Sequence, residues 1–274
     1  MRYTAKRGFT LVELLVVIAI IGVMMAMTVP AIQASREMAR RNTCQSNLAQ
    51  LMLAMQSYET AFESFSAGVT NPTGPIRSEA IGQHQGWLIH LLPYVDEGNA
   101  YRLIDFSKSV YDPANAPVRE LTIGLFRCPS DPGDERAVSS YAGCHHDVEA
   151  PIDVDNRGVL YLNSHIRRED VSDGLSHTLF VGEKRQELGD LGWMSGTRAT
   201  LRNTGLRIND ESGAGTQAPS PTYVGGFGSS HSGGAMTGFG DASVTFISDT
   251  IDVQIWQQLG QRADGKLLNF STAD

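Results

Sequence analysis

Several signatures of chemistry are missing from these 274 residues. No Gly-x-Ser-x-Gly elbow presents a nucleophilic serine, and no Gly-x-x-x-x-Gly-Lys loop cradles phosphates, so the chain is not expected to be an enzyme. Lys and Arg do not cluster beyond the N-terminus and the formal net charge is -8, which argues against a nucleic-acid surface. Sequence repeats and long low-complexity tracts are also absent. Cysteine is scarce and odd in number: Cys44, Cys128 and Cys144. In a domain outside the membrane this count reads as one disulfide and one free thiol, with a reduced, buried trio as the alternative. Sequence does not choose among the three pairings. Cys44–Cys128 is the expected pair because it closes a long loop, where Cys128–Cys144 would close only a short one, and staples the N-terminal helix to the rest, leaving Cys144 free.

What is present is concentrated at the start. Arg2, Lys6, Arg7 and Gly8 precede an almost unbroken apolar run from Phe9 to Val29. As a helix, that run is long enough to cross a hydrocarbon core of about 30 Å. Its single ionisable residue is Glu13, and a carboxylate in such a span costs roughly 2.5–3.5 kcal/mol at the bilayer centre, so it asks for a cationic partner. Pro30 removes a backbone hydrogen bond where the helix leaves the lipid and should kink it. A secretory signal peptide fits poorly, because Glu13 interrupts the core and no clean Ala-x-Ala follows. An unprocessed single-span anchor has the same spanning physics. Arg2, Lys6 and Arg7 on one side balance Arg36, Arg40 and Arg41 on the other, so charge does not settle orientation.

Lys6-Arg7-Gly8-Phe9-Thr10-Leu11-Val12-Glu13 resembles the processing site of type IV prepilins and type II secretion pseudopilins. The resemblance implies cleavage by a prepilin peptidase after Gly8, methylation of the new N-terminus at Phe9, and assembly with other pilin-like subunits, Glu13 neutralising a neighbour's N-terminal amine. It also implies a single-pass protein of the bacterial cytoplasmic membrane, its globular part outside the cytoplasm.

Beyond Pro30, Leu48, Leu51, Met52, Met55, Tyr58 and Phe62 recur at helical steps, so one helix of roughly 80 Å is expected from Thr10 to about Phe62, its outer half covered by a sheet. The 28 glycines and the lack of long periodic stretches after residue 66 predict a turn-rich β domain. A buried helical turn is expected at Trp87–Leu92, with His90 as a core histidine. Strands are expected at Leu121–Cys128, ending in a Pro129–Gly133 turn, at Gly158–Leu162 and at Thr178–Gly182, with a helical turn over Arg167–Gly174. A loop is expected at 205–222, then a hairpin from Met236–Phe239 and Ser243–Ile247, and a short helix at Asp252–Leu259. The fold class is α+β and pilin-like, a long N-terminal helix packed on an antiparallel sheet. The expected divisions are a leader at 1–8, a membrane helix at 9–30, its continuation at 31–66 and a globular domain at 67–274.

Asn47–Leu51, Trp87–Tyr94, Cys128–Pro132, Asp173–Thr178, Phe180–Lys184 and His231–Asp241 are similar to the prepilin-like proteins of the domain of unknown function 1559. Their C-terminal motif of His, nine residues and Asp-Gly falls on His231 and Asp241, with Ala242 in place of glycine. An imidazole–carboxylate bond between His231 and Asp241 is expected to brace the hairpin. A two-residue type I′ turn at Asp241-Ala242 would place alanine at positive φ. We expect no cofactor or metal. His145, His146, Asp147, Glu149, Asp153 and Asp155 would favour Ca²⁺, but they lack a complete ligand spacing and otherwise form a solvated acidic loop.

The sequence thus reads as a pseudopilin-like structural subunit of a type II secretion or type IV pilus-like system. The alternative is a membrane-tethered binding domain or hydrolase that uses the leader only for targeting, its site formed by the loop near His145 and the stretch Gly225–Gly234.

Overall fold

The computed structural model describes residues 8–131, 137–187, 189–210 and 220–266. Leader residues 1–7, Pro132 and Gly133 of the expected turn, and 211–219 of the expected loop lie outside them. Helix α1 (Leu11–Phe62) is 52 residues long, about 78 Å at helical rise. It starts with a reciprocal cap: Glu13 N donates to Thr10 Oγ1 at 3.3 Å while Thr10 N donates to the Glu13 carboxylate at 2.8 Å. Pro30 lies inside α1 and does not end it. The helix stops where Glu63 turns left-handed, with φ 57°.

Two short strands, β1 (Val69–Thr70) and β2 (Gln85–Gly86), pair antiparallel and lead into helix α2 (Trp87–Leu91). Two further short helices, α3 (Gly98–Arg102) and α4 (Ala116–Arg119), precede the main sheet. That sheet has five strands: β3 (Tyr141–His146), β4 (Leu179–Glu183), β5 (Leu201–Asn203), β6 (Gly234–Phe239) and β7 (Val244–Ser248), in the order β5-β3-β4-β6-β7. Its pairs are antiparallel except β3 with β5, so the expected antiparallel sheet carries one parallel edge. Helix α5 (Val253–Leu259) closes the described fold, with Asp252 capping it by accepting from Gln254 N at 2.8 Å.

Two expected strands are not strands. Leu121–Cys128 contains a 3₁₀ turn at Gly124–Phe126, and Gly158–Leu162 is a loop whose Val159 and Leu160 amides both donate to Cys144 O, joined to β1 by a single bridge at Leu162. Short apolar runs are buried equally well as loops, which periodicity does not distinguish from strands.

The outer half of α1 lies on one face of the sheet. Cys44, Leu48, Leu51, Met52 and Met55 are fully buried and pack with Phe180, Val181 and Met236. Contact with β6 is close enough to need glycine, because a Cβ on Gly238 would fall 2.6 Å from Met52 Cγ. Around the helix, Arg41 sits 3.6 Å over the Phe246 ring, Gln56 donates to Gly240 O at 2.6 Å and Glu59 pairs with Arg168 at 2.8 Å. On the opposite face, Trp256 and Leu259 of α5 cover Ala142, Leu179, Ala235 and Phe239. Three buried tryptophans, Trp87, Trp193 and Trp256, each donate the indole N–H to a backbone carbonyl, so their burial leaves no orphan donor.

Candidate functional site

Among the described residues, nothing packs against the inner half of α1. Its apolar side chains stand free, Leu11 at 78% exposure and Met27 at 72%, in a helix long and apolar enough to cross a membrane. Gly8 and Phe9 lie exposed just before the cap, and Glu13 is exposed one turn into the helix with its carboxylate turned back on Thr10. Among the described residues, Thr10 is the one hydrogen-bond partner of this carboxylate. Where α1 first meets the sheet, the arrangement is the opposite: polar and tightly enclosed.

Cys44 of α1 is joined to Cys128 by a disulfide, and Cys144 is a free, buried thiol whose pKa burial pushes up. The His231 ring is packed against this bridge, Nε2 lying 3.4 Å from Cys128 Sγ and 3.4 Å from Glu183 Oε1. Nδ1 faces Glu37 Oε1 of α1 at 2.8 Å. Glu183 sits at the end of β4, where its second oxygen accepts from Met236 N at 2.9 Å. Ser130 donates to Glu37 at 3.1 Å and Arg40 pairs with it at 2.6 Å, so Glu37 is held from three sides. The carboxylates of Glu183 and then Glu37 raise the pKa of His231 above its ordinary value, against the pull of burial. For Glu37, burial raises the pKa, but bonds to His231, Arg40 and Ser130 outweigh it and the net shift is downward. Helix, loop and sheet are thus locked by one disulfide and one imidazole between two carboxylates.

His231 therefore does not brace the hairpin through Asp241, contrary to expectation. The Asp241 carboxylate accepts from Ser243 N at 2.9 Å and Ser243 Oγ at 2.6 Å, within its own turn. Local backbone donors reach a turn aspartate at less entropic cost than a ring ten residues away. The turn is also not a two-residue type I′. Ala242 N donates to Phe239 O and Phe239 N to Ser243 O, so Gly240-Asp241-Ala242 form a three-residue loop. Ala242 nonetheless takes positive φ, 69°.

The acidic loop is occupied with structure. His145 is buried against Asn156 Oδ1 at 3.0 Å, and burial pushes its pKa down to about 3. Asp147 pairs with Arg157 at 2.9 Å and accepts from Gln261 at 2.6 Å, while Asp153 accepts from Val154 N and Asp155 points to solvent. Glu149 does reach the glycine stretch, but as a bracket: it accepts from Val224 N, Gly225 N and Asn203 Nδ2 at 2.8–2.9 Å. An open surface groove of about 750 Å³ lies elsewhere, between Glu59 and Arg168. Among the described residues, the side chains that do converge are Cys44, Cys128, Glu183 and His231. Neither Glu37 nor Glu183 stands out in the sequence. Glu37 hides among the arginines after the span, and Glu183 has the pattern of an ordinary strand end; no local spacing links either to His231.

The family model described as "Protein of unknown function (DUF1559)" matches residues 33–254, and the one described as "Prokaryotic N-terminal methylation motif" matches residues 3–29. Among curated proteins, the "Type II secretion system core protein G" of Klebsiella michiganensis is 32% identical over 111 residues, which are 38% of this chain and 77% of that protein. Its counterpart in Escherichia coli (strain K12) is 34% identical over 113 residues, 38% of this chain and 77% of the relative. For Klebsiella pneumoniae the figures are 32% over 106 residues, 36% and 74%. No solved structure matches the chain. The chain belongs to the DUF1559 family and is a pseudopilin-like structural subunit.

Proposed function

We propose, on the footing of that family, that this pseudopilin-like structural subunit is cut after Gly8 by a prepilin peptidase and methylated at Phe9. Residues 9–30 then span the cytoplasmic membrane once, with the globular domain outside the cytoplasm. Assembly with other pilin-like subunits, in a type II secretion or type IV pilus-like system, runs through the inner half of α1, where Glu13 meets the N-terminal amine of a neighbour. A single observation carries this reading: the methylation-motif match over residues 3–29 runs into the start of α1, and the α1 residues within it are left uncovered by the protein's own domain. Nothing in this role calls for a catalytic group.

Physically, Glu13 explains itself better in an assembly than alone. A lone carboxylate at this depth costs free energy, and pairing with an amine in the same low-dielectric layer recovers it. Intact-mass analysis of protein from native membranes should give a chain that starts at Phe9 with one added methyl group. Gly8→Val should leave the leader attached. Wild-type protein that retains Met1 through Gly8 would end this proposal.

A further inference from the structure

We propose that Cys44, Cys128, Glu183 and His231 form a zinc site in the reduced chain, so that the staple between α1 and the sheet has a covalent and a metal-bound form. The four ligand atoms come from four separate places: α1, the loop after the Gly124–Phe126 turn, the end of β4 and the loop before β6. They nevertheless lie within 4.8 Å of one another. All four residues are at least 96% buried, with Cys44 at 0%, Glu183 at 1%, His231 at 3% and Cys128 at 4% exposure.

Zinc bond lengths of about 2.0–2.3 Å imply ligand–ligand edges of about 3.3–3.8 Å in a tetrahedron. The two edges from His231 Nε2, to Cys128 Sγ and to Glu183 Oε1, are already 3.4 Å each. The sulfur–sulfur edge has to open as the disulfide is reduced, and no other pair of ligand atoms stands more than 4.8 Å apart. Two further observations point to a ligand. Glu183 Oε1 is buried without a hydrogen-bond partner, while Oε2 is held by Met236 N. A buried oxygen whose ion-pair partner, His231 Nε2, stands off at 3.4 Å without a hydrogen bond is costly unless something fills its site. His231 Nδ1 is engaged by the Glu37 carboxylate at 2.8 Å, the carboxylate–histidine arrangement that aims the other ring nitrogen at a metal. Two thiolates, an imidazole and one carboxylate form a four-ligand set with soft donors, which suits Zn²⁺ and not Ca²⁺ or Mg²⁺.

The step balances with a dithiol as reductant. It passes two electrons and two protons to the disulfide, giving the thiols of Cys44 and Cys128, and is itself oxidised to its disulfide. Zn²⁺ then displaces both thiol protons, and any proton on Nε2 of His231 leaves with them. The site does not depend on how the subunit assembles, because every ligand lies in one chain.

The test uses full-length protein in detergent. It is reduced with dithiothreitol, freed of reductant by anaerobic desalting, and given ZnCl₂ or, for spectroscopy, CoCl₂. The reduced chain should retain one zinc and show thiolate-to-cobalt charge transfer with tetrahedral visible bands, whereas the oxidised chain should retain none. Glu37→Gln keeps all four ligands and should weaken zinc binding about 10- to 100-fold, and His231→Ala should weaken it at least as much. Cys144→Ser should change nothing. Reduced wild-type protein that retains no zinc would overturn the proposal, as would equal retention by the oxidised chain, undiminished affinity in both His231→Ala and Glu183→Gln, or loss of the metal in Cys144→Ser. If a ligand variant fails to fold, the reduced and oxidised wild-type samples still decide.

Discussion

Residues 11–32 and 44–62 belong to one unbroken helix, yet the two halves are solvated in opposite ways. The inner half presents apolar side chains on every side and buries none of them, whereas the outer half buries one stripe, Cys44, Leu48, Leu51, Met52, Ala54 and Met55, and leaves its other faces mostly polar, with Leu53 and Phe62 as exposed exceptions. A helix apolar all round needs lipid or other helices, and one with a single stripe needs a sheet. The lock of Cys44, Cys128, His231, Glu37 and Glu183 sits where one regime gives way to the other. It fixes the direction in which the inner half leaves the domain, and a subunit that assembles through one end of a long helix needs that direction fixed.

Changes to the docked half should register in domain stability and leave membrane insertion untouched. The largest effect is expected from removing the disulfide. Its cysteines are 84 residues apart, and closing a loop of that length stabilises by about 4–5 kcal/mol on chain-entropy grounds. Cys44→Ala with Cys128→Ala should lower the denaturant midpoint of the domain accordingly while the protein still sediments with membranes. A midpoint within error of wild type would show that the bridge does not hold the two halves in register.

Next in size is the imidazole. His231→Gln leaves the Glu183 carboxylate buried without its counter-charge and should cost about 2–3 kcal/mol. This cost depends on pH in a definite direction. The folded-state pKa of His231 is raised from 6.5, so its contribution is complete below that value and fades as pH rises through the folded pKa. Glu37 is shifted the other way, down from 4.5, and contributes above that value, losing its part as pH falls through the lowered pKa. The gap between wild type and variant should therefore be widest from about pH 4.5 to 6.5 and narrower at pH 9. Urea melts at pH 5.5 and pH 9 that give the same gap would remove the charged form of His231 from the account.

What could be read in the sequence was what is encoded locally. The stripe from Leu48 to Tyr58, the short helix after Asp252, the hairpin around Asp241 and the lone helical turn at Trp87 all announce themselves within a few residues and all are present, while Phe62 of the expected stripe stands exposed. Strand β3 does not. Tyr-Ala-Gly-Cys-His-His is buried on both faces, so it shows no alternation, and its histidines suggest ligands instead. Strand β5 is hidden by Arg202, a buried cation paired with Glu187. His231 stands out in the sequence, but its partners Glu37 and Glu183 are 194 and 48 residues away, and proximity in sequence favours Asp241 wrongly. Of this site, the Cys44–Cys128 pair was legible in the sequence, and the two carboxylate partners of His231 were not.

A smaller effect is expected in the turn of that hairpin. Ala242 at φ 69° carries a left-handed penalty of roughly 1–2 kcal/mol, offset in part by its smaller unfolded-state entropy relative to glycine. Ala242→Gly should raise the stability of the domain by up to about 1 kcal/mol. A lower midpoint in that variant would mean the loop tolerates alanine without strain.

The smallest effect on stability, and the largest on assembly, is expected at Glu13. Among the described residues the carboxylate contacts only Thr10, so Glu13→Val should leave the domain melt unchanged and, by removing a charge from the lipid-facing segment, leave insertion intact or improved. Crosslinking of wild-type and Glu13→Val protein in native membranes is the most direct test of assembly through the inner half of α1. The account predicts insertion at least equal to wild type, an equal domain midpoint and a marked loss of crosslinked oligomers in the variant. Oligomer yields equal to wild type would contradict it.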